Sequence, residues 1–451
     1  MSIDLIIPMV LIALFAVILY TIIGFIPGTD ETSVLLPVTL ALALLGLEPI
    51  LILTFFIAAI VTLNLTNLMP TALVGLPGGV LSSPMIEHSL KVKNEGRSAI
   101  VIKKMAAAAV IGVVVAIPSS FILAQIITPF AKVIQPYGQL LFVFGALFMA
   151  MLSKNKILSL LSILPLAILF MALRYLYWGV GIVEKGTNIT TSFFLGITIG
   201  PLIVALLSLL NKQKRQETIV KQYKTIHLSH DEKKQSLNPL KLLTKKEAKW
   251  AAIMSLLSSF LFVLSPVGLI LLLGEAVMKK ANQERDKPVL AITTMSALAQ
   301  STYLSGIIIP LFALGVPLSP TSIGPGNALF NAQPAYGLEN NLHYQLSTPE
   351  FIIATLVGAI IAMVISYVLI HRYAFTITSF IMNKIPHEAV LSIFVSFILL
   401  LAYMDAGLLN VFGVLLIGIT SGSLNKLGVN FGVQFMTLYA APLLMMWLSV
   451  L

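Results

Sequence analysis

Apolar segments separated by short polar stretches run along almost the whole chain. Thirteen of them are candidate membrane spans, at residues 3–26, 35–45, 49–69, 105–128, 140–151, 157–172, 191–210, 251–273, 289–310, 351–370, 390–403, 408–419 and 431–448. A straight helix needs roughly 20 apolar residues to cross a bilayer. Several segments are shorter and end at Gly or Pro, which predicts broken or re-entrant helices. The pattern predicts an all-α polytopic membrane protein with about 10–13 spans.

The composition excludes a water-soluble globule. Of the 451 residues, 58% are hydrophobic and 10% are charged, and the mean hydropathy is +0.98. Such a chain lacks the polar residues needed to cover a surface in water. It contains no cysteine, which excludes disulfides, thiolate nucleophiles and Cys-ligated metal centres.

The basic residues are clustered. Residues 91–104 contain five Lys and Arg, residues 212–249 contain eleven, and residues 279–287 contain four, together 20 of the 28 in the chain. Basic clusters beside apolar segments indicate the cytoplasmic side of a cell membrane, so all three windows are predicted to be cytoplasmic. They have few aromatics, which argues against nucleic-acid binding. Residues 1–20 lack Lys and Arg, so we interpret them as a retained first helix rather than a signal peptide.

A repeated motif divides the chain into two halves. Pro70, Gly75 and Pro77 recur 240 residues later as Pro310, Gly315 and Pro317. The polar stretch 211–249 lies between the copies, so the predicted domains are a first transmembrane repeat (1–210), a basic cytoplasmic loop (211–249) and a second transmembrane repeat (250–451). Two copies with breaks at corresponding positions are typical of a secondary transporter and its binding site. We expect the repeats to be inverted; a chance recurrence in Gly- and Pro-rich helices is the alternative.

The first candidate site follows a predicted helix break at Pro27-Gly28. Asp30 and Glu31 come directly after it, beside apolar runs. Carboxylates inside a bilayer are costly without a partner, so these two are candidates for binding a coupling cation, either Na⁺ or a proton. An extramembrane turn with a helix cap is the alternative.

The second candidate site combines amides, hydroxyls and a Gly-rich turn. Backbone N–H groups of such a turn bind anions, especially near the N-terminus of a half-helix, which suits a carboxylate substrate. Packing between helices through small and polar residues is the alternative. The predicted substrate-binding residues of this half are Asn64, Thr66, Asn67, Gly75, Pro77, Gly78 and Gly79.

The third candidate site is the corresponding break of the second half, where hydroxyls again follow Gly and Pro. A plain extramembrane loop is the alternative. We expect segments 75–79 and 315–319 to face each other across the substrate. The predicted substrate-binding residues here are Gly315, Pro317, Ser319, Thr321 and Ser322.

Signatures of enzymes are missing from the sequence. His387-Glu388 begins like a zinc-protease motif, but Leu391 stands where the second histidine is needed. There is no GxSxG nucleophile elbow and no phosphate-binding loop. We therefore expect a protein that is not an enzyme, with no catalytic residues, no metal site and no cofactor beyond the coupling Na⁺ or H⁺.

Several of these motifs carry a family resemblance. Ile26-Pro27-Gly28, Leu76-Pro77-Gly78 and the later pair Gly96-Arg97 occur in the order found in one transporter family. In the second half, residues 309–317 read Ile-Pro-Leu-x-x-Leu-Gly-Val-Pro. The chain resembles the large membrane (permease) subunit of the tripartite tricarboxylate transporter family over nearly its whole length, as a divergent member.

The resemblance implies uptake of a small di- or tricarboxylate, driven by a proton or sodium gradient. It also implies two partners, a small membrane subunit and an extracytoplasmic solute-binding protein. Thr29-Asp30-Glu31 replaces a glycine of the family pattern, and this added acid favours cation coupling over citrate-like substrates. Two alternatives are a lipid-linked substrate translocase (flippase) and an intramembrane enzyme.

Overall fold

The first half of the chain is a series of helices interrupted at the predicted breaks. The computed structural model describes residues 5–26, 31–73, 78–134, 137–185, 190–208, 210–213, 237–332, 335–337, 339–384 and 387–449. The predicted site residues Asp30, Gly75 and Pro77 therefore lie outside the described residues. The helices of the first half are α1 (Ile6–Gly24), α2 (Glu31–Leu44), α3 (Pro49–Thr66), α4 (Leu68–Leu73), α5 (Ile86–Asn94), α6 (Ser98–Ile127), α7 (Ala131–Ile134), α8 (Gly138–Leu152), α9 (Lys156–Gly179) and α10 (Thr190–Ser208).

The second half repeats this organisation. Its helices are α11 (Pro239–Leu242), α12 (Lys245–Phe260), α13 (Pro266–Met278), α14 (Lys287–Ile309), α15 (Pro320–Ile323), α16 (Leu342–Gln345), α17 (Thr348–Lys384), α18 (His387–Lys426) and α19 (Phe431–Leu448). A π-helical turn, Pro310–Leu314, extends α14. Helix α18 is broken by non-helical torsions at Ala406 and Gly407. Within the described residues, β-structure is limited to two isolated bridges.

Eight helical segments of the described chain are long and apolar enough to cross a membrane. They are Ile6–Gly24, Pro49–Leu73, Ser98–Phe130, Lys156–Gly179, Glu284–Leu314, Thr348–Phe380, Ser392–Lys426 and Phe431–Leu448. Four shorter apolar helices accompany them, at Glu31–Leu44, Leu140–Met151, Ser192–Ser208 and Pro266–Met278. The predicted all-α polytopic membrane fold is confirmed. The predicted spans included three of these shorter helices and divided Ser392–Lys426 into two. The predicted span 251–273 was wrong, since the chain is broken there between Phe260, the end of α12, and Pro266, the start of α13.

Corresponding helices of the two halves make corresponding contacts. Helix α1 runs along α3, since Phe15 packs on Phe55 and the hydroxyl of Thr66 donates to the carbonyl of Tyr20. Helix α12 runs along α14 in the same way, since Lys246 near its start bonds to Asn282, just before α14, and Ser258 near its end bonds to Ser301 at 2.7 Å. Each half therefore begins with a first helix packed parallel to its third, as a structural repeat requires.

Two further pairs of helices are parallel. Gly112 of α6 lies against Ala297 of α14, and eight residues later Ser120 bonds to Ser305. Gly358 of α17 lies against Thr54 of α3, and eight residues later Ser366 bonds to Thr62. The offset is constant within each pair, so α6 is parallel to α14 and α17 is parallel to α3.

These directions show that the two halves run oppositely. Arg97, next to the start of α6, bonds to Arg285 O near the start of α14, so both helices begin on one side. Phe351, at the start of α17, packs on Phe121 and Phe312, near the ends of α6 and α14. Helix α17 therefore begins on the opposite side, and so does α3, which is parallel to it. Because α3 and α14 carry the repeated motif, the arrangement is that of an inverted repeat. The boundary loop 211–249 stays a prediction, since residues 214–236 are outside the described residues.

Candidate functional site

The broken segments of both halves meet at one cavity of about 130 Å³. Each half contributes residues from two breaks. In the first half these are the start of α2 and the segment after α4; in the second half they are the start of α13 and the segment after the π-helical turn that extends α14. The first half supplies Glu31, Thr32, Val80, Leu81 and Met149; the second half supplies Ser265, Pro266, Val267, Tyr303, Pro320, Thr321, Gly324, Pro325, Asn430, Phe431, Gly432 and Phe435. This convergence is what the repeated motif predicts for a transporter.

The N-termini of three helices border this cavity. Helix α2 begins at Glu31, α13 begins after its N-cap Ser265, and α19 begins after its N-cap Asn430. The side chain of Asn430 accepts a hydrogen bond from the N–H of Gly432 at 2.8 Å. A helix N-terminus carries a partial positive charge. Three such ends around one small space make it favourable for an anion.

The carboxylate of Glu31 lies on backbone N–H groups of the first half's Gly-rich turn. Its Oε2 accepts a hydrogen bond from the N–H of Val80 at 3.2 Å, and its Oε1 accepts one from the N–H of Leu81 at 3.3 Å. The amide nitrogen of Asn67 lies 3.5 Å from Oε1. Glu31 is 4% exposed. In this conformation the turn binds a carboxylate of the chain itself, through the N–H groups of Val80 and Leu81. Binding of a substrate carboxylate by residues 75–79 stays a prediction.

Gly78 and Gly79 provide the space for this contact. A Cβ at position 79 would lie 2.3 Å from Oε1 of Glu31, and a Cβ at position 78 would lie 2.0 Å from the carbonyl oxygen of Asn67. The N–H groups of these two glycines donate to hydroxyls of their own turn, those of Thr71 and Ser82. The glycines therefore allow close approach, while Val80 and Leu81 supply the donors.

The predicted site residues Asn64 and Thr66, near the end of α3, and Asn67, directly after it, lie in different environments. Asn64 donates to the carbonyl of Ala299, and Thr66 donates to carbonyls of its own helix and of Tyr20. Neither lines the cavity. Asn67 faces Glu31, and its Oδ1 is buried without a hydrogen-bond partner among the described residues. Of the three predicted residues in α3 and just after it, the structure brings only Asn67 next to the site.

In the second half, Thr321 reaches the cavity. Ser319 and Ser322 form a reciprocal capping box at the start of α15. Gly315 adopts a left-handed torsion, with φ +67°, where the helix ends, and its carbonyl accepts a bond from Asn341. Pro317 is buried and does not line the cavity. After the second break of this half, the cavity is lined by Pro320, Thr321, Gly324 and Pro325 and not by segment 315–319.

Four polar residues at the cavity were not predicted as site residues, namely Thr32, Ser265, Tyr303 and Asn430. Ser265 and Asn430 carry a signal that was overlooked, since each is an N-cap residue directly before an apolar run. Tyr303 lies inside the continuous helix α14, and no N-cap signal in the sequence beside it indicates a site residue. Among the described residues, no group of three or more His, Cys, Asp or Glu side chains could hold a metal ion.

Comparison with known proteins gives one match. The family described as the tripartite tricarboxylate transporter TctA family matches the chain over residues 10–434. Neither the curated proteins nor the solved structures contain a match to this chain.

Proposed function

This chain belongs to the tripartite tricarboxylate transporter TctA family, and on that premise we propose that it moves small di- or tricarboxylates across the cell membrane. Family membership makes it the permease component of a tripartite transporter and a multi-pass membrane protein. The substrate class, the coupling and the transport cycle are the proposed parts.

The observation that carries the proposal is the carboxylate held by backbone donors inside the cavity. Glu31 is bound by the N–H groups of Val80 and Leu81, beside the starts of α13 and α19. Fixed N–H groups and helix N-termini stabilise negative charge without a cationic side chain. The same donors and dipoles suit the carboxylates of a substrate.

The volume of the cavity supports a cycle with more than one conformation. Ligand pockets usually have about 300–1,000 Å³, whereas this cavity has about 130 Å³. A tricarboxylate therefore needs the walls to separate. Because the walls come from oppositely directed repeats, movement of one repeat against the other opens the site to each side in turn.

Coupling to a sodium or proton gradient supplies the driving force in this proposal. The coupling cation is assigned to Asp30 or Glu31. Asp30 lies outside the described residues, and Glu31 lines the cavity. A cation next to a bound anion lowers the free-energy cost of carrying that anion through a bilayer. Binding of this cation is the function proposed for the acidic residues beside the site.

The proposed setting is the cell membrane, with the three basic windows in the cytoplasm. Described parts of all three lie together, since Arg97 is 3.8 Å from Asp286 and Lys104 is 2.7 Å from Glu247. One end of the helix bundle therefore carries the basic charge, as the positive-inside rule predicts for the cytoplasmic side. The proposed partners are a small membrane subunit and an extracytoplasmic solute-binding protein.

Uptake into proteoliposomes tests this function. The purified protein, alone and with its two partner proteins, is given labelled succinate, malate and citrate under imposed sodium or proton gradients. We expect gradient-driven accumulation of at least one carboxylate. Failure to accumulate any carboxylate with both partners present would contradict the proposed function.

A further inference from the structure

The carboxylate of Glu31 occupies donors that a substrate carboxylate would also need. The N–H groups of Val80 and Leu81 each bond to it, and the missing Cβ of Gly79 leaves the space in which Oε1 lies. Glu31 also lines the cavity directly. A ligand entering the cavity therefore meets these donors with an anion already bound.

We propose that Glu31 is a tethered competitor of the substrate: a substrate carboxylate binds the N–H groups of Val80 and Leu81 only when the carboxylate of Glu31 leaves them. The inference rests on the proposed function and adds to it the residue that controls access to the site. Two carboxylates at one set of donors repel each other strongly, so the site holds one or the other.

The geometry of the contact favours such an exchange. Three of the hydrogen bonds to Glu31 measure 3.2, 3.3 and 3.5 Å, at or beyond the long end of the usual range for N–H···O bonds. The cavity of about 130 Å³ is well below the usual size of a ligand pocket, about 300–1,000 Å³, so a tricarboxylate does not fit beside Glu31. Withdrawal of this side chain both vacates the donors and enlarges the space.

Displacement of Glu31 also accounts for cation coupling. A carboxylate that loses its donors in a low-dielectric region is unstable unless a cation or a proton neutralises it. The Oδ1 atom of Asn67, buried beside Glu31 with no hydrogen-bond partner among the described residues, is an oxygen ligand for such a cation. In this scheme the substrate displaces the carboxylate of Glu31, and the displaced carboxylate needs the cation. Substrate binding therefore requires the cation.

Anion binding to the purified protein tests this inference. The probes are acetate, succinate, citrate and inorganic sulfate, each titrated with and without sodium at two pH values. The Glu31→Gln variant keeps the shape of the side chain and removes its charge. We expect it to bind at least one probe roughly tenfold or more tighter than the unchanged protein, because a nearby like charge is gone, and to lose the dependence on sodium or protons.

Two further variants separate this effect from a structural one. Glu31→Asp keeps the charge, so its binding should remain cation-dependent. Glu48→Gln makes the same chemical change at the N-cap of α3, outside the cavity, and should bind as the unchanged protein does. Thermal melts of each variant establish that the fold is retained.

The outcomes are distinct from those of the transport test. Equal affinity of the Glu31→Gln variant and the unchanged protein, or loss of binding in the variant, overturns the competitor role even where carboxylate transport is intact. A gain for sulfate alone supports the competitor role and contradicts the carboxylate function. No binding of any probe to either protein overturns both.

Discussion

Gln300 of α14 donates a hydrogen bond from its Nε2 to the backbone carbonyl of Val61 of α3, at 3.0 Å. In the 240-residue repeat, Gln300 corresponds to Ile60, and Val61 corresponds to Ser301. Each helix therefore contacts the other at the same position of the 240-residue repeat. This self-complementary contact is what a two-fold relationship between two copies produces, and it places the crossing of α3 and α14 at the axis between the repeats.

The inverted arrangement predicts equal sensitivity at two glycines. A Cβ on Gly112 would lie 2.3 Å from the carbonyl oxygen of Ala297, and one on Gly358 would lie 2.5 Å from that of Thr54. Replacing either by Ala should lower the free energy of unfolding by about 1–3 kcal/mol, because backbone must move. Gly179→Ala, where the added Cβ meets no atom within 4 Å, is the control. Melts that respond to only one of the two glycines would contradict the symmetry.

The Lys104–Glu247 pair should be important for the contact between the halves. Lys104 Nζ lies 2.7 and 2.9 Å from the two oxygens of Glu247, whose side chain also caps α12 with Thr244. Replacing Lys104 by Met leaves a largely buried carboxylate without its cation, at a cost of about 3 kcal/mol. The double variant Lys104→Met, Glu247→Gln should recover most of that loss. Thermal unfolding measures both, and strictly additive effects would show that the two side chains do not interact.

Neighbouring glycines of the site turn should behave differently from each other. Ala at position 78 meets the backbone oxygen of Asn67, so it should lower stability by about 1–3 kcal/mol. Ala at position 79 meets the ends of the Glu31 and Asn67 side chains and pushes the buried carboxylate of Glu31 off its donors, which also costs stability. Gly79→Ala should therefore melt at a lower temperature than the unchanged protein and, among molecules that remain folded, lose about tenfold or more of carboxylate uptake, since its methyl covers the donors. Normal uptake by Gly79→Ala would show that this turn does not bind the substrate.

His343 should make stability depend on pH. It lies outside the candidate spans, and burial lowers its pKa below the ordinary value of 6.5. Its ring packs on Gly315, and its Nδ1 lies 3.0 Å from the carbonyl oxygen of Leu311. Because the folded-state pKa is lowered, this contribution to stability is present above pH 6.5 and is lost as the pH falls through the folded pKa.

Melting temperatures at several pH values check this prediction. The unchanged protein should lose more stability than a His343→Gln variant as the pH is lowered from 7.5 to well below 6.5, because the unfolded state binds the proton first. Parallel curves for the two proteins would exclude His343 as the source of the pH dependence.

Most positions of the breaks could be predicted from the sequence, although the break between Phe260 and Pro266 lies inside the predicted span 251–273. The directions of the side chains could not be predicted. Pro and Gly mark each break by their backbone chemistry, and the 240-residue offset relates the two copies. Asn64 and Thr66 bond instead to carbonyls of neighbouring helices, and which helix lies beside them is a matter of tertiary packing. The donors Asn67, Val80 and Leu81 are 36 to 50 residues away from Glu31, so the sequence shows an acidic residue but not these donors.

Protection of a single introduced cysteine tests the central claim, that carboxylate binds where the broken segments converge. The chain has no cysteine, so Val80→Cys carries the only thiol; Val80 lines the cavity and is 42% exposed. Leu45→Cys, at a residue that is 75% exposed and lies outside the cavity lining, is the control. We predict that a transported carboxylate slows labelling of Val80→Cys by a small thiol reagent and leaves Leu45→Cys unaffected. Undiminished labelling of Val80→Cys at a saturating concentration of that carboxylate would contradict the account.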